Sequence, residues 1–310
     1  MTITNPAHFF ITTFYKFTPV ANPETFKLEL EVLALKTNTL GLIIIGTEGI
    51  NATVASETEV GLETFKKIVL QKLGLESILF KDSASATPPF RRFKVKIRPE
   101  IVTLGTPELV PSEGRNHHLS PHEWNEVLKN EKDILVIDTR NWYETKIGTF
   151  KNAINPRTEQ FTEFPKFMEE NNYDKNKKVL IFCTGGIRCE RGILELQRQG
   201  FNDVYQLDGG ILNYLNEFPN DQFEGECFVF DHRVAVTQEL KPTSNYNLCP
   251  HCGQPGNTTV DCKRCDTHTF ICDDCEKLKW KNVTCSKNCA YQLELHPIRK
   301  GPKQAVTYKD

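Results

Sequence analysis

Lys178-Val-Leu-Ile-Phe-Cys-Thr-Gly-Gly-Ile-Arg188 is the stretch on which the fold turns. Val179 to Phe182 are uninterrupted apolar residues, as expected of a strand buried on both faces of a parallel sheet. A glycine-containing loop follows, and the next periodic segment, about residues 188–199, reads as a helix. Cys183 thus stands at the C-terminal end of a strand, where open α/β sheets place their sites. Gly185 and Gly186 allow a tight loop whose N–H groups converge on an anion. The following helix N-terminus adds positive potential, and Arg188 adds a full charge. Each of these favours thiolate over thiol, and thiolate is the nucleophile. Buried structural cysteines are common at strand ends, but packing alone has no use for two glycines and an arginine directly afterwards. Cys183 and Arg188 are therefore the candidate catalytic pair, with Thr184, Gly185, Gly186 and Ile187 as the anion-binding loop.

Reading outward, Ser120-Pro121-His122-Glu123 combines an N-cap, a first-turn proline and a capping-box glutamate. Apolar strands are expected near 134–137 and 204–207, the first ending in Asp138-Thr139-Arg140 and the second before Gly209-Gly210. Strands alternating with helices imply a parallel sheet covered on both faces. Asp138 reads as a capping or orienting group. Arg140 is a second candidate for gripping anions, with a structural ion pair as the competing role. Cys189 either packs under the loop or serves as a redox partner of Cys183. Cys227 stands alone and reads as inert.

The segment before this, residues 1–105, reads as βαββαβ: strands near 8–17, 40–45, 50–55 and 93–97, with helices near 23–35 and 60–73. That order suggests a ferredoxin-like α+β sandwich. In its last strand Phe93, Val95 and Ile97 alternate with Arg92, Lys94, Lys96 and Arg98, so four cations share one face. The pattern suits a solvated face or a track for a nucleic-acid backbone. Residues 106–118, with two prolines, a glycine and no periodicity, read as a linker, including His117 and His118.

The last segment, 227–310, has too few large apolar residues for a conventional core and carries four cysteine pairs. These are Cys249/Cys252, Cys262/Cys265, Cys272/Cys275 and Cys285/Cys289. Eight thiols in closely spaced pairs match two tetrahedral structural zinc ions, which would supply the missing folding energy. Spacing leaves open whether the pairs combine sequentially or interleave. Lys279, Trp280 and Lys281 form a cationic, aromatic patch among the ligands, suited to RNA contact or simply to solubility.

The 310 residues carry a formal net charge of −2, which disfavours a globally basic nucleic-acid binder but allows local basic patches. No apolar run suffices to span a membrane, and the N-terminus lacks the pattern of a secretory signal. A cytoplasmic protein with no membrane partner is expected.

From Leu119 to Phe218 the chain resembles a rhodanese domain. The resemblance rests on Asp138-Thr-Arg140, Gly148-Thr-Phe-Lys-Asn-Ala-Ile-Asn-Pro156, the loop Cys183–Arg188 and Gly200-Phe-Asn-Asp-Val-Tyr-Gln-Leu-Asp-Gly-Gly210. Rhodaneses carry a sulfane sulfur as a persulfide on this cysteine. The related phosphatases have five residues between cysteine and arginine; the four here favour sulfur over phosphate. Gly46-Thr-Glu-Gly-Ile-Asn51 together with Cys183-Thr-Gly-Gly-Ile-Arg-Cys-Glu190 resembles the rhodanese-related tRNA uridine hydroxylases. Members of that family join an acylphosphatase-like domain, a rhodanese-like domain (here 119–226) and a cysteine-bearing tail. The resemblance implies oxygen-dependent conversion of wobble uridine in tRNA to 5-hydroxyuridine. Cys183 would act through a persulfide, molecular oxygen would be co-substrate, the electron donor is unknown, and the anticodon arm would be the partner. The chain shows no flavin fingerprint or redox-metal set, so the oxygen step rests on resemblance alone. A sulfurtransferase carrying sulfur on Cys183 from a small-molecule donor is the alternative. So is a zinc-built interaction module whose rhodanese domain only senses sulfur.

Overall fold

The computed structural model describes residues 8–112, 117–297 and 301. Part of the linker expected at 106–118, the first seven residues and most of the last thirteen lie outside these. The chain forms two compact units, one of residues 1–231 with 236–241, the other of residues 232–235 with 242–310.

The first unit opens with β1 (Phe9–Phe17), α1 (Pro23–Thr37), β2 (Thr39–Gly46), β3 (Gly49–Ser56), α2 (Glu59–Leu73), β4 (Lys81–Ser85) and β5 (Phe93–Ile97). Asn22 caps α1, its side chain accepting from Thr25 N at 3.0 Å, and Asn38 ends the helix in the left-handed region. Thr58 and Gly74 do the same for α2. The sheet runs β4-β1-β3-β2-β5, with only β2 and β5 parallel. This is the expected sandwich with one displacement. The fourth strand is β4, a polar segment with no apolar alternation to reveal it, and the basic strand β5 is a fifth strand on the opposite edge. Both helices cover one sheet face, where Phe26, Leu30, Leu62 and Phe65 pack on Phe14, Ile43, Ala52 and Val54. The residues between these, including Thr13, Tyr15, Leu42, Ile44, Asn51 and Thr53, belong to the other face.

The unit continues with β6 (His118–Leu119), α3 (Pro121–Asn130), β7 (Ile134–Asp138), α4 (Trp142–Thr145), β8 (Gly148–Phe150), α5 (Phe164–Glu170), β9 (Lys178–Phe182), α6 (Ile187–Arg198), β10 (Val204–Leu207), α7 (Gly210–Glu217) and β11 (Phe223–Gly225). The strands β6-β10-β9-β7 make an all-parallel sheet. Period-two alternation splits β9 between two cores: Val179 and Ile181 meet α5 and α6, while Leu180 and Phe182 meet α3 and α7. The capping box expected at Ser120–Glu123 is present. His117 and His118, read above as linker residues, are held in this sheet. His118 is in β6 and its Nε2 lies 2.9 Å from Glu190 Oε1; His117 Nδ1 lies 2.9 Å from the Val204 carbonyl. Polar hydrogen bonding to distant chain, which no local pattern announces, makes the difference.

The second unit is built on an antiparallel hairpin, Thr258–Asp261 with His268–Ile271, short helical turns and a helix at Lys287–Leu295. Its buried residues are largely the cysteines themselves. Among the described residues, no helix is long and apolar enough to cross a membrane.

Candidate active site and metal centres

Cys183 directly follows β9, fully buried, and the loop after it curls so that Gly186 N donates to its sulfur at 3.1 Å. Gly186 takes a φ of 96° as the residue before α6, a conformation that suits glycine. The first amides of α7 hold the loop from behind: Ile211 N donates to the Cys183 carbonyl at 3.0 Å and Leu212 N to that of Thr184 at 3.1 Å. A Cβ on Gly210 would sit 2.6 Å from the Cys183 oxygen, which is why a glycine stands there.

Arg188 projects from the first turn of α6 and is paired bidentately with Glu144 of α4, at 2.6 and 2.8 Å. Both side chains are buried, and Thr184 Oγ1 also donates to Glu144 at 3.3 Å. Glu144, absent from the sequence reading, therefore balances the charge that Arg188 brings to the loop. Arg140 is fully buried and spent on Asp138, with Nη2 and Oδ2 at 2.7 Å. It does not line the cavity at Cys183 among the described residues, so the geometry supports its structural ion-pair role.

That cavity, about 510 Å³, lies between the loop and the helix-free face of the first sheet. Cys183, Thr184, Gly185, Ile187 and Arg188 line one side; Tyr15, Leu42, Ile44, Asn51 and Thr53 line the other. Its volume falls within the roughly 300–1,000 Å³ typical of small-ligand sites. Arg98, just after β5, also lines it. Arg92 and Lys94 are exposed, and Lys96 is half-buried. The basic strand thus puts Lys94 and Lys96 on the same sheet face as the cavity, as its alternation with buried Val95 requires. Arg191 of α6 meets Glu48 and, at 3.2 Å, Glu100. Glu190 accepts from the Tyr15 hydroxyl and Gln206 Nε2, both at 2.9 Å. These polar contacts lock the loop helix to the sheet, and they explain why the Gly46–Asn51 motif carries a glutamate.

Burial alone would push the Cys183 thiol up. A hydrogen bond from Cys189, the Arg188 guanidinium and the amides of Arg188 and Gly186 outweigh it and bring Cys183 down to about 5. Cys189 moves the other way, raised well above the thiol range by burial and by the charge on Cys183. The arrangement is one thiolate with a neutral thiol donating to it. Cys227 is pushed up to about 12, chiefly by burial, consistent with inertness.

In the second unit the cysteines assemble as Cys249, Cys252, Cys272 and Cys275, and as Cys262, Cys265, Cys285 and Cys289. The pairs interleave, first with third and second with fourth. All sulfurs of a set lie within 4.8 Å of one another, with separations such as 3.4 Å for Cys265–Cys285 and 3.7 Å for Cys265–Cys289. A tetrahedron with metal–sulfur bonds of about 2.3 Å has edges of roughly 3.8 Å, so both sets fit a metal ion such as zinc. Four thiolates from each set would fill a tetrahedral coordination sphere and leave no position open for a substrate. Lys279 is exposed with its ammonium 4.8 Å from the centre of the half-buried Trp280 ring, and Lys281 follows, half-buried.

Three family profiles match in succession: the UPF0176 acylphosphatase like domain over residues 9–101, the rhodanese-like domain over 120–217 and the rhodanase C-terminal domain over 224–290. Full-length relatives agree. A protein named tRNA uridine(34) hydroxylase from Bdellovibrio bacteriovorus is 57% identical over 97% of this chain and 86% of its own. One of the same name from Synechocystis is 45% identical over 79% and 88%, and one from Acinetobacter baylyi 44% identical over 79% and 77%. With a rhodanese-type cysteine loop and these relatives, the chain belongs to the tRNA uridine(34) hydroxylases, a family of rhodanese-superfamily enzymes.

Proposed function

We propose that this protein hydroxylates the wobble uridine of tRNA at carbon 5, with Cys183 as the attacking group. The cavity at the Cys183 loop is the observation that carries the reading, because it joins a nucleophile to a partly apolar chamber beside a basic strand. An enzyme acting on a base must receive it unstacked from its neighbours, and an anticodon loop offers its bases at little cost. The apolar residues Leu42 and Ile44 would take the faces of the pyrimidine, and Asn51, Thr13 and Thr53 its polar edge. Arg98, Lys94, Lys96 and Arg92 would track the phosphates. Lys279, Trp280 and Lys281 of the zinc unit would hold the anticodon arm through charge and stacking.

Chemically, a thiolate or persulfide on Cys183 adds to the electrophilic ring carbon next to carbon 5, leaving carbon 5 electron-rich toward oxygen. One oxygen atom of O2 enters the base. The other leaves as water, taking two protons and two electrons from an external reductant, and loss of the proton on carbon 5 then expels the sulfur, breaking the carbon–sulfur bond and restoring the ring double bond. Arg188 and the loop amides at 184–187 would stabilise the sulfur anion. Cys189, by donating to it, would shield it from oxidation. The division of labour is an RNA-contacting sandwich over 1–105, a catalytic domain over 119–226 and a metal-built segment over 227–310, working in the reducing cytoplasm, where eight thiolates bind two zinc ions rather than form disulfides.

The test is nucleoside mass spectrometry on tRNA from cells lacking the protein, rescued with wild type or Cys183→Ser. Loss of 5-hydroxyuridine and its derivatives, restored by wild type alone, is expected. Unchanged tRNA in a strain with no redundant pathway would overturn the reading and return attention to small-molecule sulfur transfer.

A further inference from the structure

Lys81 is the residue of this neighbourhood that neither the loop motif nor the basic strand includes. It lies on β4 directly opposite Thr13 of β1, and cross-strand partners in an antiparallel pair share a sheet face. Thr13 lines the cavity at Cys183, so the Lys81 side chain leaves the sheet on that side. Its stem reaches the cysteine loop: a Cβ built on Gly185 would lie 3.7 Å from Lys81 Cε and 4.0 Å from Thr13 Cγ2. Its ammonium sits 5.0 Å from the centre of the Tyr15 ring. The residue is only 8% exposed, yet Nζ makes no hydrogen bond among the described residues.

A buried ammonium without a hydrogen-bonding partner is costly, and folded proteins rarely keep one without use for its charge. The surrounding charges show what that use is. Arg188, the obvious cation of the loop, is already matched by Glu144. Arg140 is matched by Asp138, and Arg191 by Glu48 and Glu100. Lys81 is acted on by Cys183, Asp208 and Glu190, without an ion pair to any of them. The first sheet also presents Tyr15 to the sulfur, while α6 presents Arg188 and Cys189 and the chain after β11 presents Cys227.

We propose that Lys81 is a positioning residue of this site, whose unpaired ammonium holds the Cys183 sulfur in its anionic form. The proposal rests on Cys183 being the reactive thiolate and adds a second source of its charge, delivered by the N-terminal sandwich rather than by the rhodanese loop. It gives that sandwich a part in the chemistry besides RNA contact. Burial lowers Lys81 to about 8, with Cys183 foremost among the charges opposing this, so Lys81 is charged at neutral pH and approaches loss of its proton just above it.

The test is the pH dependence of Cys183 alkylation by iodoacetamide in the full metal-loaded chain, read by mass spectrometry of the Cys183 peptide. Lys81→Met, close to lysine in shape but uncharged, should raise the alkylation midpoint by about one pH unit and so react about fivefold more slowly at pH 5. Lys81→Arg should return the profile toward wild type. An unchanged alkylation midpoint in Lys81→Met would overturn the proposal. A wild-type midpoint near the ordinary thiol value would instead sink the underlying reading of Cys183, before any Lys81 variant is compared.

Discussion

Glu48, in the turn between β2 and β3, forms a buried ion pair with Arg191 of α6, 143 residues away along the chain. The pair ties the first sheet to the helix that begins at the cysteine loop, and Arg191 further donates to the carbonyls of Thr106 and Leu109. Glu48→Ala leaves the Arg191 guanidinium buried with Glu100 as its remaining carboxylate. Breaking such a pair on one side costs about 3–5 kcal/mol. A urea titration of the variant should show a correspondingly lower midpoint; an unchanged midpoint would mean the pair contributes nothing to stability.

The reactive form of Cys183 should persist well below neutral pH. Alkylation of wild type is expected to lose half its rate near pH 5, and Cys189→Ala should move that midpoint upward by removing the thiol that donates to the sulfur. The linkage has a definite sign. The folded value lies below the unfolded one, so the charge stabilises the fold fully above the ordinary thiol pKa of about 8.5. That contribution declines as pH falls from there toward 5. A midpoint that Cys189→Ala leaves unmoved would show that Cys189 is packing only.

Glu144→Gln separates two effects of one carboxylate. It strips Arg188 of its counter-charge, so the guanidinium acts undiminished on Cys183 and the alkylation midpoint should fall below that of wild type. Stability should drop at the same time, by roughly 3 kcal/mol in chemical denaturation, because a buried guanidinium has lost its charged partner. A midpoint that rises would contradict the charge balance described for the loop.

Metal content should be two ions per chain, and the interleaved ligands make the two sites interdependent. The Thr284 carbonyl, next to Cys285 of one set, lies 2.8 Å from His251 Nε2, which sits between Cys249 and Cys252 of the other. Cys285→Ser should therefore lower the measured zinc content toward zero rather than to one. Because the first unit has its own hydrophobic cores, chelation should leave Cys183 alkylation unchanged. A variant that keeps one ion at full affinity would show that the sites fold independently.

Neutral substitutions at Lys94, Lys96 and Arg98 should weaken tRNA binding most at low salt. Each lost phosphate contact lowers the slope of log K against log salt by about 0.7 for single-stranded RNA. Parallel titrations of wild type and the triple alanine variant give that slope directly, and identical slopes would remove the strand from the RNA path.

Much of this molecule is legible along the chain because its signals are local. The apolar run into Cys183, the glycines that shape its loop and the spacing of the cysteine pairs each express a constraint satisfied within a few residues. Those constraints determined the parallel sheet, the place of Cys183 at the end of its buried strand and the eight paired thiols. Tertiary structure decided the rest. The polar strand β4, with no alternation to mark it, takes the fourth-strand place that the sequence pattern gave to the basic strand, and so carries Lys81 to the cysteine loop. Arg188 acquires Glu144, Arg140 is drawn to Asp138, and His118 finds Glu190. The cysteine pairs settle on interleaving over sequential ligation. Charge balance in a buried site is set by which distant groups the fold brings within a few ångströms, and nothing in local spacing carries that information.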